Sequence, residues 1–232
     1  MRVKLFHYPA TRSTRVAFLL HELEPEISHE IVRLDLYKGE QYAAEFTDRF
    51  PLHAIPAVEI QDDDGRTSIM TESAAIITAL ADAFPEKTLA PAAFPFSAAR
   101  ADYLRTVDTC GASLDMMLWQ IRIHQHVLPQ GQRDPRTVAR YSSKISDEVA
   151  PMLAKRLDRT AHICGDDFSA ADCMISHALV WARSYGLCGD HAFTSYLARL
   201  SERPAFQKAY ADIAEFTPKV PEEMVAKGLF TG

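Results

Sequence analysis

No cysteine occurs before position 110, and the four that follow, Cys110, Cys164, Cys173 and Cys188, share no short spacing. A Cys-x-x-Cys redox pair, a zinc ribbon and a disulfide-stapled secreted scaffold need closely spaced cysteines, so none of these is expected. No run approaches the ~18 consecutive apolar residues of a membrane-spanning helix, and the opening Met1-Arg2-Val3-Lys4-Leu5-Phe6 is too short for a secretory signal. There is no basic stripe. The net charge is −6, from 25 Lys and Arg against 31 Asp and Glu, which argues against nucleic acid as a partner. Internal repeats and low-complexity tracts are also lacking. A protein of the reducing cytoplasm, off the membrane and without metal, is the expectation.

What is present is ordinary for a globular chain: 232 residues, 47% hydrophobic and 24% charged, enough for one large domain or two small ones. Residues 3–8 read as a buried strand ended by Pro9. Thr11, Ser13 and Thr14 bring hydroxyls to a helix start, and Val16, Leu19, Leu20 and Leu23 follow on one helical face until Pro25. Residues 27–34 read as a second strand, and this strand–helix–strand order predicts a parallel pair with a right-handed crossover. A short helix over 42–50 precedes Pro56 and a strand over 57–60. Asp62-Asp63-Asp64-Gly65 signals a hairpin, 68–70 return, and a helix over 72–84 turns Ile76, Ile77, Leu80 and Phe84 inward. The order β-α-β-α-β-β-α over residues 1–84 is α/β of the thioredoxin type. Three prolines mark residues 85–96 as a linker. From 97 to 232 the strand signals vanish and an all-α helical bundle is expected. Its long helix over 97–127 is interrupted by Gly111, at a cost of ~1 kcal/mol unless close packing needs it. A second, over 135–161, is kinked by Pro151. Ser169 and Asp172 form a capping box, with Phe168 as its staple, before an all-round apolar helix over 174–185. Helices over 191–202 and 205–216 follow, then an irregular tail from 218.

Two places carry chemistry. Pro56 stands at the entrance to a strand, where a missing N–H is tolerated and where an X-Pro bond allows a cis peptide. Glu72 and Ser73 put an acid and a hydroxyl at a helix start. Together they suggest a backbone clamp beside a polar helix N-terminus, suited to a small zwitterionic peptide. Thr11 and Ser13 either cap their helix or face that ligand.

Pro9-Ala10-Thr11-Arg12-Ser13-Thr14-Arg15-Val16, Ile55-Pro56-Ala57, Thr71-Glu72-Ser73-Ala74-Ala75-Ile76 and Phe168-Ser169-Ala170-Ala171-Asp172, in that order and with the domain change between them, resemble the glutathione transferase family along nearly the whole chain. The resemblance implies a thioredoxin-like domain that binds glutathione as co-substrate, a helical domain that binds a small hydrophobic electrophile, and a homodimer. Thr11 matches the activating serine of the serine-type members and Ser13 is the rival hydroxyl; either would stabilise the thiolate, helped by the helix N-terminus. The tyrosine of the tyrosine-type members falls on His7, which leaves Tyr8 a packing residue. The absence of an early cysteine makes the cysteine-type members poor models. Ile55 is implied to pair its main chain with the cysteinyl part of the tripeptide beside a cis Pro56. Glu72 and Ser73 would hold the γ-glutamyl end, and Lys38 and His53 the glycyl carboxylate. Many members carry Lys or Gln where this chain has Ala54. Tyr103, Val107, Met116, Met117 and Trp119 are available to the electrophile, and His124 and His126 read as solvated helix histidines. The implied reaction is thiolate attack on an electrophile. The alternatives are another glutathione-dependent reaction, such as disulfide or peroxide reduction, ether cleavage, dehalogenation or isomerisation, or a non-catalytic binding or dimerisation module.

Overall fold

The first strand, β1 (Arg2–His7), shows why the sheet has two faces. Successive side chains point to opposite sides. Val3 and Leu5 enter the main core, while Phe6 joins Leu34, Phe46, Phe50 and Ala57 in a smaller cluster on the other face. The structure, a computed structural model, describes residues 1–216, so the tail expected from 218 lies outside the described residues. Helix α1 (Ser13–Glu22) is buried from Ser13 through Leu20. It carries the chain to β2 (Ser28–Arg33), which pairs parallel with β1 as the strand–helix–strand order requires. The helix expected over 42–50 shrinks to the single turn α2 (Ala44–Thr47), anchored by Phe46. Strand β3 (Ala57–Gln61) runs antiparallel to β1 and to β4 (Thr67–Thr71), with the intervening turn at Gly65, φ +80°. The sheet order is β2-β1-β3-β4, and α3 (Ser73–Ala83) completes the thioredoxin-like arrangement.

The rest of the described chain is helical. Helix α4 (Ala98–Asp108) starts on the Ser97 hydroxyl, which accepts the Arg100 N–H at 3.1 Å. It continues through a wider π-type turn (Thr109–Leu114) into α5 (Asp115–Arg122). Gly111 sits in that turn, where a Cβ would lie 3.3 Å from the Ala74 Cβ and 3.6 Å from the Met174 Cε. The glycine permits close approach of the long helix to α3. Helices α6 (Pro135–Lys144) and α7 (Ala150–Leu157) are joined by another wider turn (Ile145–Val149) immediately before Pro151, whose missing N–H cannot continue the regular ladder. Helix α7 itself ends at Leu157, short of the expected 161.

Helix α8 (Ala170–Arg183) is central and buried on all sides over its first ten residues. Its capping box is present: Asp172 Oδ2 accepts the Ser169 N–H at 2.8 Å. Asp172 does more than cap. Its Oδ1 also accepts from the Ile163 N–H (2.9 Å) and the Tyr196 hydroxyl (2.6 Å). Helix α9 (His191–Ser201) follows. The helix expected over 205–216 is instead α10 (Pro204–Ala209) and a single turn (Ile213–Glu215), broken near Tyr210. Phe206 packs edge-on against Phe18 of α1, ring centroids 5.4 Å apart. This contact lays the last described segment across α1 and brings Asp212 to the end of β1. Among the described residues no helix is long and apolar enough to cross a membrane.

Candidate active site

The turn between β1 and α1 is the natural starting point, because its hydroxyls do not cap the helix. The position before α1 is Arg12, without a side-chain cap. The Thr11 hydroxyl donates to the Tyr8 carbonyl at 2.7 Å and lies 2.8 Å from the Ser13 Oγ. Ser13 is fully buried; its Oγ accepts the Tyr8 N–H at 3.2 Å and sits 2.8 Å from the His7 Nδ1. His7 reaches Asp212, Nε2 to Oδ2, at 3.1 Å. Of the two candidate hydroxyls only Thr11 lines the adjoining cleft. Ser13, proposed as its rival, is directed into the protein because position 13 is the first turn of a helix buried on that side.

Two adjoining clefts of about 810 Å³ each share Arg12, Leu52, Ala54, Ile55 and Trp119, so they form one groove between the sheet loops and α4–α5. Ile55 lines both clefts, and the Ile55–Pro56 peptide is cis. Among the described residues, no backbone group pairs with the Ile55 N–H or C=O. Pro56, Glu72 and Ser73 line the cleft beside α3. Glu72 is exposed and holds φ +66°, an uncommon conformation for a residue with a Cβ, directly before the N-terminus of α3. Ser73 is buried, and its Oγ accepts from Arg15 Nη1 at 3.3 Å. His53, also at positive φ (+42°), lines the other cleft with its ring 4.8 Å from that of Tyr42. Lys38 lies elsewhere: its ammonium pairs with Asp35 at 3.2 Å, and it lines neither cleft. The groove thus brings together Thr11, His53, Ile55, Pro56, Glu72 and Ser73, without Lys38 or Ser13. Of the residues considered for an electrophile, Trp119 and Met116 face the groove, while Tyr103 and Met117 are core.

The groups that sequence reasoning missed stand behind this groove. Arg15 is fully buried and forms a two-pronged pair with Asp115, Nη1 to Oδ2 at 2.8 Å and Nη2 to Oδ1 at 2.9 Å. Burial opposes the charge on each, yet their mutual attraction outweighs it, keeping Arg15 charged and holding Asp115 below the usual carboxylate range. Arg15 Nη2 also donates to the His177 Nδ1 at 2.8 Å, which leaves the His177 Nε2–H to donate to the Ala10 carbonyl at 3.2 Å. Burial, then the Arg15 charge, pulls His177 down to about 3. The neutral imidazole so fixed clamps Ala10, which holds φ +54° next to Thr11. Arg12 bonds Asp115 at 3.0 Å, and its guanidinium lies between the rings of Trp119 and Trp181, 5.6 Å and 5.2 Å from their centroids. The available signal was a lone aspartate and a lone histidine in two apolar helices.

Other titratable groups either pack at the wall of the groove or lie apart from it. Tyr8 is almost wholly buried, with Arg33 over its ring, but it also lines the cleft beside Thr11; burial followed by Tyr37 and Asp35 raises its phenol above its ordinary value. Burial pushes the Cys110 thiol up to about 12 and those of Cys164 and Cys188 to about 11, so none is poised as a nucleophile. His124 Nδ1 accepts the Asp134 N–H at 3.0 Å, and His126 stacks on Tyr185. One group among the described residues has ligand atoms close enough for a metal, His21, Glu24 and His29, all within 4.8 Å. It lies at the far end of α1, and Lys208 occupies the second oxygen of Glu24 at 2.5 Å.

Residues 1–82 match the glutathione S-transferase N-terminal domain family. The disulfide-bond oxidoreductase YfcG of Escherichia coli (strain K12) is 28% identical over 172 residues, 73% of this chain and 75% of that protein. Among solved structures, a glutathione transferase family member from Pseudomonas fluorescens pf-5 with two glutathione bound superposes with a TM-score of 0.76 at 22% identity, covering 90% of this chain and 92% of that one. The glutathione transferase URE2P8 from Phanerochaete chrysosporium with oxidized glutathione does so with a TM-score of 0.76 at 22% identity, over 92% and 95%. At these identities the structural likeness establishes the fold: a thioredoxin-like sheet domain followed by a largely helical region.

Proposed function

We propose that the whole chain, and not only its first 82 residues, belongs to the glutathione transferase family, and that it activates the thiol of glutathione for attack on a small hydrophobic electrophile. The observation that carries this reading is the convergence in one groove of a free main-chain edge at Ile55, an acid and a helix N-terminus at Glu72–Ser73, and the Thr11 hydroxyl. The ammonium of the tripeptide meets Glu72 and its α-carboxylate the first N–H groups of α3, where the helix dipole favours an anion. Its cysteinyl main chain adds to Ile55 as one more strand. The sulfur then lies near Thr11 at the N-terminal end of α1, where a hydroxyl donor and the helix dipole both favour the thiolate. His53 is near enough to the same cleft to serve the glycyl carboxylate in place of the absent Lys or Gln at Ala54. The electrophile occupies the remaining apolar volume beside Trp119, Val127, Val180 and Trp181. The domain division is read at 84 and 97, as the chain leaves α3 and enters α4, and the working unit is read as a homodimer.

Calorimetric titration with glutathione tests the reading. Glu72 is exposed, so Glu72→Ala leaves the fold intact and weakens binding at least about tenfold, a charge-assisted hydrogen bond being worth roughly 1.5–3 kcal/mol. Unchanged affinity removes Glu72 from the site.

A second reading, glutathione-dependent disulfide reduction, is favoured by the activity named for the E. coli relative and by the paired or oxidised glutathione in the structural relatives. With no cysteine in residues 1–109, two glutathione molecules would supply both electrons, leaving as glutathione disulfide while the substrate disulfide departs as two thiols. Turnover of a mixed disulfide, set against an aryl halide, separates the two readings.

A further inference from the structure

We infer that the thiol proton of bound glutathione is taken up inside the protein, along the buried chain Thr11–Ser13–His7, and that His7 is the acceptor, balanced by Asp212. The inference rests on the glutathione reading above and concerns where the proton goes, which that reading leaves open.

Each link lies within hydrogen-bond distance: Thr11 Oγ1 to Ser13 Oγ at 2.8 Å, Ser13 Oγ to His7 Nδ1 at 2.8 Å, and His7 Nε2 to Asp212 Oδ2 at 3.1 Å. Ser13 and His7 are buried, Thr11 borders the groove, and Asp212 is about one-third exposed. A carboxylate only accepts, so the Nε2 of His7 carries a hydrogen, and in the neutral ring Nδ1 is the acceptor. The Ser13 O–H then points to His7 and its Oγ receives the Tyr8 N–H; the Thr11 O–H, which rests on the Tyr8 carbonyl at 2.7 Å, turns to the Ser13 Oγ at 2.8 Å to open the relay. In that state Thr11 shows the groove a lone pair.

The other state follows by moving three hydrogens one step each. The sulfur–hydrogen bond breaks as Thr11 Oγ1 takes that proton. Thr11 passes its own to Ser13 Oγ, and Ser13 passes its own to His7 Nδ1. The products are a thiolate that accepts a hydrogen bond from Thr11 and an imidazolium between Ser13 and Asp212. Charge is conserved: one negative sulfur and one positive ring replace two neutral groups. Ser13 is saturated in both states, with one hydrogen donated and two accepted, so the relay strands no buried polar atom at that link. The other charges on this side favour the second state little: Arg33, paired in register with His7 across β1–β2, is committed to Glu215. Asp212 is therefore the group that offsets the new positive charge. A purely structural role for the same four residues would hold the turn in place and leave the thiol's ionisation unmoved.

Nitrogen-15 NMR of the His7 ring tests this directly at neutral pH. Saturating glutathione converts the ring from the neutral pattern to the imidazolium pattern, whereas S-methylglutathione, which has no thiol proton, leaves it neutral. In parallel, the thiolate absorbance of bound glutathione is titrated in wild type, His7→Gln and Asp212→Asn. Both variants move its midpoint up by about one pH unit or more, with glutathione affinity at acidic pH within about twofold of wild type. Asp212→Asn, on the partly exposed member, keeps the test decisive if His7→Gln fails to fold. A ring that stays neutral under saturating glutathione, or an unmoved midpoint in Asp212→Asn, overturns the inference while leaving glutathione binding intact. Absence of calorimetric binding to wild type overturns the glutathione reading itself, by a separate readout.

Discussion

Acidification targets His177. Its two ring nitrogens are committed to the neutral form, one receiving the Arg15 guanidinium and the other donating to the Ala10 carbonyl. A proton on the first would face a cation at 2.8 Å. The native group is held near 3 by burial and by Arg15, whereas an unfolded histidine titrates near about 6.5. Below that value the unfolded chain binds a proton that the native chain refuses. The stability that His177 contributes is thus whole above about pH 6.5 and is lost progressively toward pH 3. At about pH 5 the gap is roughly 1.5 units, and at ~1.4 kcal/mol per unit the loss is about 2 kcal/mol. Urea midpoints for wild type and His177→Gln measure it. Glutamine offers Arg15 an amide oxygen and Ala10 an N–H without titrating, and other groups that change charge in this window cancel between the two proteins. Wild type is expected to lose about 2 kcal/mol more than the variant between about pH 7 and about pH 5. Equal losses would refute the argument that His177 is locked neutral. Because the same ring clamps Ala10 beside Thr11, thiolate formation in the variant also gauges how far the turn depends on it.

Two further predictions concern buried carboxylates. Asp115→Ala leaves two guanidiniums, of Arg12 and Arg15, without their shared acceptor, and chemical denaturation should show a loss of about 3–5 kcal/mol. Replacing Arg15 and Asp115 together by apolar residues should recover much of that. Asp172→Ala removes the acceptor for the Ser169 and Ile163 N–H groups and the Tyr196 hydroxyl, so it should cost about 3 kcal/mol or more rather than the ~1 kcal/mol of a simple cap. Tyr196→Phe should cost less, since it leaves the carboxylate its two backbone donors.

The sheet half was legible in the chain because its information is local. The short apolar run of β1 ended by Pro9, the apolar face of α1, the Asp-Gly turn and Pro56 each act over a few residues. Pro56, Glu72 and Ser73 came with them, since a strand entrance and a helix start are local features, whereas Ile55 and the choice of Thr11 were implied by the family resemblance. The fate of Ser13 was not readable, because whether a first-turn hydroxyl faces a ligand or the interior depends on how the helix is set on the sheet. Arg15 meets Asp115 one hundred positions away and His177 after 162, and no short-range pattern encodes such a pair. Asp212 reaches His7 only because the final helix breaks at Tyr210, where an unbroken helical pattern was expected. Lys38 was offered with His53 on the strength of the family resemblance, and in the structure it pairs with Asp35 and lines neither cleft.

Gly111 has a consequence for the shape of the groove it borders. There the long helix and α3 meet almost backbone to backbone, with no cushion thicker than the methyl of Ala74. That point acts as the fulcrum of a caliper whose jaws are the two halves of the molecule. A thicker residue at the fulcrum would part the jaws along their length, leaving the chemical groups in place while changing the girth of what fits between them.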